Sequence, residues 1–140
     1  MKRRTFISLL AGLALVPSLA IAASIQYTDK PDTIKDALAK GKTVFVDYAA
    51  DWCSTCKRQE RLIDQLRERN PIYDQYLTFV RVDWDVYSDH AVTESRNIPR
   101  RSTLIVLNGE EELGRMVAGT DINKIKALMD AGVAKAQEAK

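Results

Sequence analysis

Histidine and cysteine are scarce in this 140-residue chain, which has one histidine and two cysteines. A structural zinc site usually takes four Cys or His ligands, so the chain does not supply one by itself. An excess of either charge is also missing. The formal net charge is +2, with no basic tract and no run of like charge. Nucleic-acid binding, which rests on clustered Lys and Arg, has no electrostatic support. Internal repeats and low-complexity linkers are absent, and the length fits one domain with little left for a second. Apolar residues are not lacking: at 46% of the chain they allow a real core and argue against disorder.

The first residues, MKRRTFISLLAGLALVPSLAIAA, have their own pattern. A basic head (Lys2, Arg3, Arg4) precedes an apolar run from Phe6 to Val16, which Pro17 breaks. Ala20-Ile21-Ala22 then offers small residues at an A-x-A cleavage site. That is the three-part plan of a secretory signal. The apolar run is about half the roughly 20 residues that a spanning helix needs, although Leu19 to Ala23 could extend it to a marginal span. The expectation is a signal over residues 1–22, cleaved near Ala22, with a retained membrane anchor as the alternative. Arg3-Arg4-Thr5-Phe6-Ile7 also resembles the twin-arginine motif of folded-protein export in bacteria; the general secretory route is the alternative. Removing this segment takes away three basic residues and no acid. It leaves 18 Lys and Arg against 19 Asp and Glu, a net charge of −1. Residues 23–140 are then close to the usual single-domain size.

Element types alternate along that domain. Ile25 to Tyr27 suits an edge strand. Pro31 to Lys40 reads as a helix with Pro31 in its first turn, ended by Gly41. Thr43 to Ala49, TVFVDYA, is a buried strand rich in β-branched and aromatic residues. A long helix runs from Cys53 or Ser54 to Arg69 and stops at Asn70-Pro71, with Leu62, Ile63 and Leu66 at helical spacing. Ile72 to Leu77 reads as a helical turn, Phe79 to Trp84 as a strand, and Asp89 to Arg96 as a short polar helix. Thr103 to Leu107 is a strand. Asn108-Gly109 signals a tight turn, so Leu113 to Ala118 pairs back antiparallel. Thr120 or Asp121 caps a final helix carrying Ile122, Ile125, Leu128, Met129 and Val133. A helix between two strands implies a parallel pair, and the hairpin adds antiparallel strands. The fold class is therefore α/β, with a mixed sheet covered by helices.

Both cysteines, Cys53 and Cys56, fall where a strand ends and a helix begins. A helix start has free N–H groups and about half a positive charge from its aligned peptide dipoles. A thiolate there is stabilised and its pKa falls below the free value of about 8.5. Cys53 is expected to be the exposed, low-pKa attacker. Cys56, one turn on, can reach back to it as the resolving thiol. A structural disulfide closing so short a loop would remove little unfolded-state entropy, which favours redox chemistry over a staple.

Val46-Asp47-Tyr48-Ala49-Ala50-Asp51-Trp52-Cys53-Ser54-Thr55-Cys56-Lys57 resembles the active-site segment of thioredoxins, especially the exported thioredoxin-like domains of the bacterial periplasm. With the element order, the resemblance covers nearly all of residues 25–138. It implies the thioredoxin fold, a central mixed sheet with helices on both faces, and thiol–disulfide exchange without a cofactor or metal. It makes Cys53 the nucleophile, Cys56 the resolving thiol, and Trp52 part of the docking surface. Asp47 matches the family's buried carboxylate. An acid in an apolar strand is costly without a task or partner, and desolvation should raise its pKa, which suits a base for Cys56. Arg81 falls where the family often has a lysine paired with that acid. It would hold Asp47 ionised or face solvent.

The chain departs from the family twice. Ser54-Thr55 replaces the usual glycine and proline, so the reduction potential does not carry over. Ser102 stands at the position of the family's cis-proline; Pro99, followed by an insertion of Arg100-Arg101-Ser102, is the alternative. The Arg101–Ser102 bond is expected to be trans, because a non-proline cis bond costs about 3 kcal/mol. Arg101, Ser102 and Thr103 then join Trp52 in the client groove, and Arg100 with Arg101 would favour acidic partners. The expected role is a periplasmic reductant of protein disulfides, a monomer recharged by a membrane thiol–disulfide reductase. The alternative is a thioredoxin-fold binding module, in one form sharing a metal or iron–sulfur cluster across a dimer through four thiolates.

Overall fold

The computed structural model describes residues 20–139. Most of the signal-like segment, residues 1–19, lies outside the described residues. The elements are β1 (Ile25–Gln26), α1 (Thr33–Ala39), β2 (Thr43–Ala49), α2 (Ser54–Arg69), α3 (Ile72–Tyr76) and β3 (Leu77–Asp83). They continue with α4 (Trp84–Tyr87), α5 (Ala91–Glu94), β4 (Thr103–Asn108), β5 (Glu111–Val117) and α6 (Ile122–Glu138). Among these elements, no helix is long and apolar enough to cross a membrane.

One five-stranded sheet runs in the order β1-β3-β2-β4-β5. β3 is parallel to both β1 and β2, and the β4–β5 hairpin is antiparallel to β2 and internally. β2 lies at the centre and is buried along its whole length, as its apolar run implies. Side chains alternate between the faces of a strand, and each face has its own core. Phe45, Phe79, Leu104 and Val106 pack with Ile63 of α2, Tyr73 of α3 and Ile125 and Met129 of α6. Val44, Val46, Tyr48, Val80 and Ile105 pack on the other face with Ile34 of α1 and Val92 of α5. By this alternation Asp47, two residues from Phe45, points to the α2 face.

Three boundaries differ from expectation for local reasons. Pro31 precedes α1 rather than entering it, because Asp32 caps the helix and accepts from the Ile34 and Lys35 N–H groups. The expected Asp89–Arg96 helix is shorter, α5 alone, and an unexpected short helix, α4, starts at Trp84, the expected end of the preceding strand. Asp83 caps α4 by accepting from the Asp85 N–H, and His90 Nδ1 caps α5 by accepting from the Val92 N–H at 3.1 Å. The hairpin turn is one residue later than read: Asn108 pairs with Glu111, so the loop is Gly109-Glu110, with Gly109 at φ +58°.

α6 seats closely on the sheet through Gly132. A Cβ there would meet Leu77 Cδ2 at 2.8 Å and Val106 Cγ1 at 2.9 Å. Alanine in a helix interior is favoured over glycine by about 1 kcal/mol, but overpacking a tight core costs typically 1–3 kcal/mol. Gly132→Ala should therefore lower unfolding stability by about 1 kcal/mol in urea titration. A gain of that size would show that α6 is not seated this tightly.

Candidate active site

β2 ends at Ala49, and a tight turn delivers the chain into α2. Cys53 is the N-cap of that helix, and its sulfur accepts the Cys56 N–H at 3.2 Å. The sulfur thus takes the place of the oxygen that a Ser or Asp cap would offer. Cys53 and Cys56 are joined as a disulfide, with Cα atoms 5.2 Å apart. The pair packs with Ala49 and Ala50, and half-buried Trp84 lies against it. Cys53 is not the exposed group expected: only 4% of its surface is accessible. The apolar residues around it, with Ser102 behind, cover the sulfur.

Ser102, rather than Pro99, faces the disulfide. Its Oγ lies 3.1 Å from Cys53 Sγ and 3.1 Å from Cys56 Sγ. The only cis peptide among the described residues is Lys30–Pro31, so the Arg101–Ser102 bond is trans. Ser102 adopts φ +63° instead, a left-handed conformation that costs a non-glycine residue about 1–2 kcal/mol. Three hydrogen bonds hold it there. Its N–H donates to Tyr48 O at 2.7 Å, and its carbonyl accepts from the Ala118 N–H at 2.8 Å and Gln59 Nε2 at 3.1 Å. Gln59 is fully buried and also donates to Gly119 O at 2.9 Å. Gln59 escaped the sequence reading, although it lies three residues after Cys56 on the same buried helix face.

The other expected site residues divide. Trp52 is exposed, its Nε1 donates to Asp85 at 3.0 Å, and the Arg101 guanidinium stacks 4.4 Å from its ring centroid, a cation–π contact. Trp52 and Arg101 thus form one surface unit beside the thiols. Thr103 does not join it. Its side chain is buried, and its hydroxyl donates to Arg100 O at 2.6 Å, because the first residue of β4 already pairs with Tyr48 and Val117.

Asp47 is buried, and its Oδ1 has no hydrogen-bond partner among the described residues. Burial first, then the nearby Glu60 carboxylate, push its pKa up to about 7, against a smaller downward pull from Arg81. Arg81 neither pairs with Asp47 nor faces solvent, the two arrangements expected. It is the β-ladder neighbour of Asp47, but its guanidinium reaches out to Asp51 at 2.9 Å and Glu60 at 3.2 Å. A cavity of about 380 Å³ opens over this group, lined by Asp47, Glu60, Asp64, Arg67 and Arg81 among others. Its size admits water. No hydrogen bond joins Asp47 to Cys56 among the described residues.

A thioredoxin-like family model matches residues 26–104, more than half of the chain. Thioredoxin-2 of Saccharomyces cerevisiae is 35% identical over 98 residues, 69% of this chain and 88% of that protein. Mitochondrial thioredoxin-2 of Schizosaccharomyces pombe is 30% identical over 92 residues, 66% of this chain; the chain spans 64% of that relative, slightly under two thirds. Among solved structures, the protein called Trxlp from Edwardsiella tarda superposes with a TM-score of 0.64 at 30% identity. That match covers 76% of this chain and 98% of the other.

The raised pKa of Asp47 has a stability consequence. Its ordinary value is 3.8 and its folded value about 7. Between those pH values the native state keeps a proton that the unfolded state has released, so stability falls as pH rises through this window. About three units at about 1.4 kcal/mol each sets an upper bound of roughly 4 kcal/mol. In urea unfolding, the wild type should lose stability from pH 4 to pH 7, and Asp47→Asn should lose markedly less. Parallel pH curves for the two proteins would contradict the burial penalty.

Proposed function

We propose a thiol–disulfide exchange reaction for this chain, which belongs to the thioredoxin-like family. The observation that carries the proposal is a vicinal cysteine pair at the start of a long helix, with Cys53 Sγ accepting the Cys56 N–H. In the reduced protein that N–H and the helix dipole favour the Cys53 thiolate. The thiolate attacks one sulfur of a client disulfide, and the other client sulfur leaves as a thiolate. Cys56, deprotonated, then attacks Cys53 Sγ, releases the second client sulfur and restores the Cys53–Cys56 disulfide. Two electrons pass from the protein to the client.

Asp47 is proposed as the acceptor of the Cys56 proton. A carboxyl with a pKa of about 7 is matched to exchange protons near neutral pH, and the cavity beside it gives the proton a way out. Trp52 and Arg101 form the proposed docking surface, and exposed Arg100 beside them favours acidic client segments. Ser102 keeps its own N–H and carbonyl engaged within the protein, so a client strand has to pair elsewhere on that loop.

The proposed setting is the periplasm, reached by a signal over residues 1–22 of twin-arginine type. The basic head, apolar run and A-x-A site support it. In an oxidising compartment a reductant needs recharging, and a membrane thiol–disulfide reductase is the proposed donor, acting on a monomer. The A-D-W-C-x-x-C-K string supports the reducing direction.

The purified domain should reduce insulin disulfides, with loss of activity in Cys53→Ser. Cys56→Ala should accumulate a mixed disulfide with clients in the exported fraction, separable on non-reducing gels and identified by mass spectrometry. The wild-type Cys53–Cys56 couple should have a midpoint against glutathione nearer the thioredoxin value of about −270 mV than the oxidase value of about −120 mV. Cellular function that survives loss of both cysteines would favour the binding-module reading instead.

A further inference from the structure

Among the described residues, Ser102 is the one polar side chain that hydrogen-bonds both sulfurs. Its Oγ is 3.1 Å from each, and the residue is fully buried. A disulfide sulfur carries no proton, so in this state the hydroxyl is the donor. The hydroxyl is held in place from the backbone. A left-handed residue fixed by Tyr48, Ala118 and Gln59 has little freedom to turn away. Proline at this position would carry no donor at all.

We propose that Ser102 is a catalytic residue of the exchange reaction, donating its hydroxyl hydrogen bond to whichever sulfur carries the negative charge. This rests on the exchange reaction proposed above and adds a role for a residue outside the cysteine motif. In the reduced protein the hydroxyl donates to the Cys53 thiolate, beside the Cys56 N–H. After attack, Cys53 is bonded to the client sulfur and no longer charged. The Cys56 proton leaves, and the same hydroxyl turns to the Cys56 thiolate without its oxygen moving. As Cys56 attacks Cys53, the Cys53–client bond breaks and the electron pair departs on the client sulfur. The hydroxyl gains and loses no proton through the cycle.

A hydrogen bond to an ionised acceptor is about twice as strong as one between neutral groups, and is worth most where water is excluded. The charged groups on surrounding elements are Asp47 from β2, Asp51 from the turn, Lys57 and Glu60 from α2, Asp85 beside Trp52, and Arg101 before Ser102. None of them hydrogen-bonds a sulfur among the described residues. The local donors that distinguish thiolate from thiol are therefore the Cys56 N–H and the Ser102 hydroxyl.

The test compares wild type with Ser102→Gly and Ser102→Ala. Alanine has a Cβ and keeps the left-handed strain that serine carries, so that variant loses the hydroxyl alone; glycine accepts this backbone without strain and loses the hydroxyl and the strain together. Thiolate absorbance of the reduced proteins, followed against pH, should show the first ionisation rising by about one pH unit in both variants, a tenfold loss. The equilibrium with glutathione should shift with pH in a matching way. Well above the first ionisation of all three proteins, the variants should favour the disulfide about tenfold more than wild type, about 30 mV. Well below the first ionisation of all three, the proteins should converge. An unchanged ionisation in both variants, or a displacement equal at all pH values, would overturn the proposal and leave Ser102 a structural residue. A change in glycine alone would assign the effect to the backbone and overturn it too. None of these readings needs a client. A wild type that reduces no insulin while this titration behaves as expected refutes the exchange reaction without touching the hydroxyl's effect on the thiolate.

Discussion

A sulfur stands where a helix needs a cap. The first turn of α2 has N–H groups with no partner inside the helix, and Cys53 supplies the acceptor for one of them. That geometry couples the structural role of the residue to its chemistry: whatever stabilises the open helix end also stabilises negative charge on the sulfur. The rest of the fold serves to hold this helix end still. β2, buried over its full length, carries the chain to the site. Ile63 and Leu66 anchor α2 in the core formed with α6. Gln59 ties the helix to the Ser102 loop.

Behind the cysteines the electrostatics are arranged in two layers. Asp47 sits on the inner layer, its Oδ1 without a hydrogen bond among the described residues, and burial dominates its titration. Arg81, the nearest cation on the neighbouring strand, turns outward to Asp51 and Glu60. Had it paired with Asp47, the acid would be held ionised and useless as a proton store near neutral pH. Instead the arginine neutralises the outer carboxylates and leaves the inner one poised. A lysine could titrate in such a place; an arginine keeps its charge, and its effect here comes from where its guanidinium points.

The sequence was legible wherever one residue's environment follows from its neighbours in the chain. The alternation of TVFVDYA, the spacing of Leu62, Ile63 and Leu66 and the capping Asp121 predicted the central strand and two helices closely. Cys53, Cys56 and buried Asp47 were readable from spacing and from the cost of an acid in an apolar strand. Features decided by contacts between distant segments were not. Cys53 is covered by residues from other parts of the fold, and Thr103 is turned inward by its pairing in the sheet. Arg81 has two outward carboxylates within reach that no local pattern announces. The hydroxyl of Ser102 was placed near the thiols by alignment alone; its left-handed backbone and its contact with both sulfurs depend on Tyr48, Gln59 and Ala118.

Cys53 differs from Cys56 although both are buried, because Cys53 caps the helix. The most direct measurement is the rate of alkylation of each thiol in the reduced protein, followed by mass spectrometry from pH 5 to pH 9. Cys53 should be modified first, with a rate that rises through an ionisation well below the free-cysteine value of about 8.5, while Cys56 stays unmodified until higher pH. Equal rates at the two sulfurs, or a Cys53 ionisation at or above the free value, would contradict the claim that the helix start makes the attacker.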